Sequence, residues 1–161
     1  MISLPARGTD EGAESRLLLA ECRGPSFSGY SLDDATSCMQ MMDRVLWNRV
    51  NNPRPFLAKN STLLAVIKAH GQFQGFQNYP NYDAAIANNI QQMIDIANNA
   101  HDKRAPVFSS FIKKAIEIAR DPTISDPSPG SLTAWRTAGS GSPGPGFKLF
   151  TTVLGTTFYY R

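Results

Sequence analysis

The chain has 161 residues, 42% of them hydrophobic and 18% charged, enough apolar material for a single folded domain over 1–161 and too much for a disordered chain. No apolar run reaches the roughly 18–20 residues that cross a bilayer, so no membrane insertion is expected, and two cysteines exclude a disulfide framework or a four-cysteine zinc site. The net charge of +3 comes from scattered basic residues without a basic helix, so no nucleic-acid partner is expected.

Met1 to Arg7 lacks the apolar stretch of a secretion signal, and residues 1–12 read as flexible. A first helix is expected over 13–23, with Leu17, Leu18 and Glu21 near one face and Gly24-Pro25 as its stop. A second starts at Ser31-Leu32-Asp33-Asp34, where the serine oxygen can cap early backbone N–H groups. Ala35, Cys38, Met42, Val45 and Leu46 then form its apolar stripe until Asn51-Asn52-Pro53. A third helix is expected from Ser61 to Gly71, a fourth from Asp83 to Ala97, and a fifth from a cap near Ser109 to Asp121-Pro122. Gly, Pro and Ser fill 15 of the 26 positions in 121–146, which reads as one long surface loop. Phe147–Leu154 and Thr156–Tyr160 are rich in β-formers and separated by Gly155. The expected fold is mainly α, with a small C-terminal β element.

Chemistry concentrates at two places. Glu21 follows Leu17-Leu18-Leu19-Ala20 in the last turn of its helix. Desolvation and the negative end of the helix dipole both disfavour the anion there, as a general acid requires; pairing with Arg16 or Arg23 is the plainer alternative. Gln72-Phe73-Gln74-Gly75-Phe76-Gln77-Asn78-Tyr79-Pro80-Asn81-Tyr82 interleaves aromatic rings, which stack on sugars, with amides, which bond to hydroxyls. A surface loop anchored by Phe73 and Phe76 is the alternative here.

Specific residues align with a known pattern. Leu19-Ala20-Glu21-Cys22-Arg23-Gly24 resembles the A-E-A-R-G signature of the spore cortex-lytic (SleB-like) cell wall hydrolases. Val45-Leu46-Trp47-Asn48-Arg49-Val50 resembles their V-x-x-N-R-V, and Val66 to Phe73 resembles their V-I-x-x-x-x-Q-F. Asp121-Pro122-Thr123, with Gly130, is similar to their D-P-T-x-G-A turn, and Leu154-Gly155-Thr156-Thr157 with the neighbouring tyrosines to their terminal I-G-x-H-x-F-Y, with Thr157 in the histidine's place.

The resemblance implies a lysozyme-like fold and cleavage of the MurNAc–GlcNAc β-1,4 bond of peptidoglycan by a lytic transglycosylase or muramidase. It implies Glu21 as the catalytic acid/base. Gln72, Phe73, Gln74, Tyr79, Tyr82 and Tyr160 are the expected substrate-binding residues, with no cofactor and no metal. Asp33, Asp34 and Asp83 are candidates for a second carboxylate. The expected partner is the peptidoglycan glycan strand, bound by a monomer.

Such an enzyme acts in the periplasm or cell wall. Without an encoded signal peptide, delivery by a secretion system, by a holin or within a larger parent protein is expected; an injected antibacterial effector would imply a cognate immunity protein. Two alternatives are a cysteine amidase or peptidase acting on stem peptides, with Cys38 as nucleophile and His70 or His101 as base, and a non-catalytic wall-binding module. Cys22 and Cys38, 16 residues apart, form either a disulfide or two buried thiols.

Overall fold

A computed structural model describes residues 1–52, 62–69 and 71–161 of the chain. Five helices, α1 (Asp10–Glu21), α2 (Leu32–Asn51), α3 (Leu63–Lys68), α4 (Ala84–Ala97) and α5 (Ala105–Arg120), precede three strands, β1 (Leu132–Thr137), β2 (Lys148–Val153) and β3 (Thr156–Tyr160). The fold is therefore mainly helical with a small antiparallel sheet in the order β1-β3-β2.

Capping chemistry sets the helix starts. Thr9 Oγ1 accepts from Gly12 N, Ser31 Oγ from Asp34 N, Thr62 Oγ1 from Ala65 N and Asp83 Oδ1 from Ile86 N, each at 3.0–3.1 Å. These bonds satisfy backbone donors that have no partner within the helix. The third helix starts at Leu63, after its Thr62 cap; Ser61 and Pro53 lie outside the described residues. The fifth starts earlier than Ser109: Pro106 occupies the first turn, where its missing N–H costs nothing, and no side-chain cap is made.

The central helix is α1. Every residue from Gly12 to Leu19 is buried, so it is enclosed all round rather than amphipathic, and its polar Glu14, Ser15 and Arg16 are taken inside with it. One core cluster joins Leu18 and Leu19 to Met39, Met42, Phe111, Ile112, Leu132 and Phe158. A second gathers Ala13, Leu17 and Leu46 around α3, Phe73, Phe76 and Tyr79. Gly12 is required where it stands, because a Cβ there would strike the backbone carbonyl of Ala6.

Residues 1–12 are tied to the helices: Ile2 exchanges two hydrogen bonds with the Asn98 side chain, at 2.7 and 2.9 Å, and Arg16 Nη1 donates to Pro5 O at 2.8 Å. Residues 121–146 are not one loop, because β1 runs through them. Its strand is held from outside by pairing along β3, with the register slipping at Thr133 in a bulge. The Thr133 carbonyl accepts from Arg49 Nε at 2.8 Å. Neighbouring Leu132 O accepts from Asn48 Nδ2 at 2.9 Å, so α2 grips the bulged end of β1.

The β2–β3 connection is Leu154-Gly155, both at positive φ (45° and 73°), the two-residue hairpin turn that matches strand twist. Gly155 also receives the Arg23 guanidinium where a Cβ would be. This contact brings the residues just after α1 onto the sheet.

Candidate functional site

Glu21 is the last residue of α1; at Cys22 the backbone turns extended (φ −85°, ψ 134°). Cys22 is bonded to Cys38 of α2, with Cα atoms 6.2 Å apart, and Arg23 lies over the Phe27 ring at 5.3 Å. Glu21 is thus held by a covalent tie on one side and by the Arg23–Gly155 contact on the other. Burial pushes its carboxyl above the ordinary range, while a hydrogen bond from the Trp135 indole draws it partly back. No hydrogen bond ties it to Arg16, whose Nη1 is committed to Pro5 O and Gly12 O.

Glu21 lines a cavity of about 150 Å³ with Phe27, Asn89, Met93 and Phe108, and among the described residues lining it there is no other carboxylate. The proposed second carboxylates stand elsewhere. Asp33 and Asp34 are exposed in the first turn of α2, and Asp83 caps α4.

Trp135 connects Glu21 to a second cavity, of about 450 Å³, which it lines together with Gln72, Phe73 and three arginines, Arg49, Arg136 and Arg161. The bulge at Thr133 sets Trp135 opposite Phe158 across the ladder, ring centroids 6.5 Å apart. Phe73 stacks on the indole at 5.0 Å. Arg49 lies over Phe73 at 5.4 Å and donates from Nη1 to Gln72 Oε1 at 3.1 Å. Burial lowers the Arg49 pKa to about 10, which leaves it charged at neutral pH.

Of the expected substrate residues, Gln72 and Phe73 join this group, and Phe73 does so as a buried support for Trp135 rather than as a face for sugar. Gln74 is exposed and lines neither cavity. Tyr79 is buried, its hydroxyl donating to Arg7 O at 2.7 Å, so it secures the N-terminal segment. Tyr82 packs beside Phe76 and Tyr79 under Arg7. Tyr160 meets Phe150 edge-on and lines neither cavity. The aromatic run is mostly core because its turns fold the rings inward against α1 and α3. Trp135, which organises the site, is missed by the sequence reading, and Arg49 enters it only within the V-x-x-N-R-V resemblance; the β-strand holding Trp135 is obscured by its Gly/Pro/Ser surroundings.

The turn that braces this region is at Asp126, not at Asp121. Asp126 accepts from Ser128 N (2.9 Å), Leu132 N (2.8 Å) and Asn48 Nδ2 (2.8 Å). Asp121 makes only a local turn with exposed Thr123. Thr157 is buried and shares a 2.8 Å hydrogen bond with Thr152, so it faces its neighbouring strand. Cys38 is fully buried and disulfide-bonded, which leaves no thiol for nucleophilic attack; His70 lies outside the described residues, and His101 sits on the exposed turn before α5.

A buried acid pair lies within the helices. Burial raises the Glu14 carboxyl to about 10, reinforced by the hydrogen bond and charge of Asp43, while Trp47 and Arg44 oppose the shift. Asp43 is also raised, by burial first, against the hydrogen bond to Glu14 and the charge of Arg44. Both Glu14 oxygens and Asp43 Oδ1 are buried without a hydrogen-bond partner, so the pair is held at low cost only while a proton neutralises one of the two carboxyls.

No family model, curated protein or solved structure matches the chain.

Proposed function

We propose that the protein is a lysozyme-like glycosidase that cleaves the MurNAc–GlcNAc β-1,4 bond of peptidoglycan, with Glu21 as its single acid/base. The observation that carries this reading is the placement of Glu21. It is a half-buried carboxyl at a helix C-terminus, beside one indole N–H, between one cavity that it lines and another lined by Trp135. A raised pKa extends protonation of such a group toward neutrality, the direction the acid step needs. The Trp135 N–H stabilises the anion left after the proton departs.

In this scheme Glu21 gives its proton to the glycosidic oxygen as the C1–O bond breaks through an oxocarbenium-like transition state. The resulting carboxylate takes the proton of the muramyl 6-hydroxyl as that oxygen bonds to C1. Glu21 is regenerated, and the products are a free 4-hydroxyl end and a 1,6-anhydro end. A hydrolase of the inverting or retaining type uses two carboxyl groups about 5–10 Å apart. The single carboxylate among the described residues of the Glu21 cavity therefore favours the lytic transglycosylase over the muramidase. The order of Asn48-Arg49 on α2 and Gln72-Phe73 after α3 supports the likeness to the SleB-like hydrolases.

The test is digestion of purified sacculi by the protein and by Glu21→Gln, with mass spectrometry of the soluble fragments. Anhydro-muropeptides from the wild type alone are the expected result. Reducing ends would make it a muramidase. Free stem peptides from intact glycan would overturn the glycosidase, and binding of both proteins without products would leave a wall-binding module.

A further inference from the structure

Resting on that function, we infer that the arginine-lined cavity beside Trp135 is an anion subsite that seats the carboxylate-bearing peptide stem of the sugar undergoing cleavage, so that the enzyme selects stem-bearing strands over bare glycan. Three guanidinium groups, Arg49, Arg136 and Arg161, line one cavity of about 450 Å³, and no Asp or Glu is among its described lining residues. That composition is unusual in a chain whose net charge is only +3. By contrast, the equally large cavity at Asp43 is lined by Asp10, Glu11 and Asp121 as well as Arg44 and Arg120.

The three cations are held in different ways, and each suits the role. Arg49 is buried, with its Nε on Thr133 O, its Nη1 on Gln72 and its face on Phe73, so it is a fixed positive charge in the cavity wall. Arg161 is exposed and stacked on Phe147 at 4.3 Å, which restrains the side chain without neutralising it. Arg136 is exposed on β1, and neither it nor Arg161 forms an ion pair among the described residues. Planar guanidinium groups match carboxylates in a two-pronged geometry that an ammonium does not offer.

Position identifies which anion. Trp135 stands beside Glu21 and lines the arginine cavity. A group in that cavity is therefore adjacent to the bond that Glu21 protonates. On a peptidoglycan strand the acidic substituent adjacent to the scissile bond is the lactyl-peptide branch of the muramyl residue. A cavity of this volume falls in the range that holds small ligands and accommodates the first residues of the stem.

The test measures binding to Glu21→Gln, which retains the site without turnover. Three soluble probes of equal sugar length are used: stem-bearing muropeptide oligomers, the same glycan stripped to its lactyl carboxylates, and neutral chitooligosaccharide. Affinity should fall in that order, by about tenfold or more between the first and the last. Only the two anionic probes should weaken as salt rises. Introducing Arg136→Gln and Arg161→Gln together should bring the stem-bearing and neutral probes within about threefold of each other, with the melting temperature reporting that the protein remains folded. Equal affinity for all three probes in the parent protein, or a preference that survives the arginine changes or is insensitive to salt, overturns the subsite and leaves the glycosidase standing. Failure to bind any of the three overturns both. Equal binding of an unrelated polyanion such as heparin would also overturn it, since the arginines would then be a general anion exchanger.

Discussion

The Trp135 indole N–H stands beside the Glu21 carboxyl across the junction of α1 and the sheet and favours its anion, and the same ring is stacked on Phe73. The acid's proton affinity is consequently set by two opposing effects that belong to different elements: burial at the end of a helix, and a donor on a strand paired 137 to 156. Trp135→Phe separates them, because it keeps a ring on Phe73 and removes only the N–H. Loss of a donor that favours the anion raises the Glu21 pKa further. The alkaline limb of the pH–rate profile on peptidoglycan, where the acid loses its proton, should therefore move to higher pH. Turnover should fall about tenfold, the equivalent of ~1.4 kcal/mol. An unmoved limb with lowered turnover would show that Trp135 only shapes the site.

Glu14→Gln should flatten the pH dependence of stability. Glu14 keeps its proton in the folded protein, up to about 10, and releases it near 4.5 when unfolded. Its raised folded value makes the stabilising contribution complete below about pH 4.5 and progressively lost as pH rises toward 10. Glutamine has the size of the protonated acid and cannot ionise. The variant should melt near the wild type at pH 4.5 and above it at pH 9, read by thermal unfolding across that range. Parallel curves would mean that Glu14 is not the proton holder.

Removal of the Cys22–Cys38 bond, by Cys22→Ser with Cys38→Ser or by reductant, releases a 16-residue loop. In the chain-entropy account this costs about 3 kcal/mol, or roughly 6–12 °C in melting temperature for a domain of this size. Because the bond starts one residue after Glu21, activity on peptidoglycan should fall more steeply than the folded fraction does at the same temperature. Equal loss of the two would make the bond a purely global staple.

Asp126→Ala should destabilise by about 3 kcal/mol, since it strands Leu132 N–H and Asn48 Nδ2 in a partly buried junction. Asp126→Asn, which keeps an acceptor, should cost less. Burial pushes the Asp126 carboxyl up, but the bonds from Leu132, Ser128 and Asn48 outweigh it and hold the group below its ordinary 3.8. Its contribution is therefore present above about pH 4 and lost as pH falls below that value. Asp121→Ala, at the exposed turn, should change stability by less than about 0.5 kcal/mol, and urea titration distinguishes the two aspartates.

Helices that stand on the surface of their own apolar stripe were legible from the sequence. The cap at Ser31 and the stripe from Ala35 to Leu46 reappear as α2 within a residue or two, because capping and periodicity are local. The central helix was harder. Its burial on all sides removes the polar face from which a register is read, so the enclosure of Glu14 and Arg16 was not legible. The sheet was half seen: β2 and β3 carry β-forming runs, whereas β1 lies among glycines and prolines and is a strand only because β3 pairs with it and Asn48 and Arg49 bind its carbonyls. Glu21 was visible as a carboxylate in apolar surroundings. Its partner Trp135, 114 positions away, is joined to it by tertiary packing alone, and local pattern carries no trace of such a pair. The tyrosines at 79 and 82 misled for the complementary reason, since an aromatic–amide run has the same composition whether its rings face a ligand or the core.

The seat of the Arg23 guanidinium on Gly155 ties two distant positions into one inherited unit. Residue 155 must lack a side chain both for its turn and for its guest, and residue 23 must be long and flat enough to fill the space. Across any lineage that keeps this hairpin, the two positions are expected to vary together or not at all. That joint history would be recorded at a contact holding the end of α1 on the sheet, so it would trace selection on where Glu21 stands rather than on what Glu21 is.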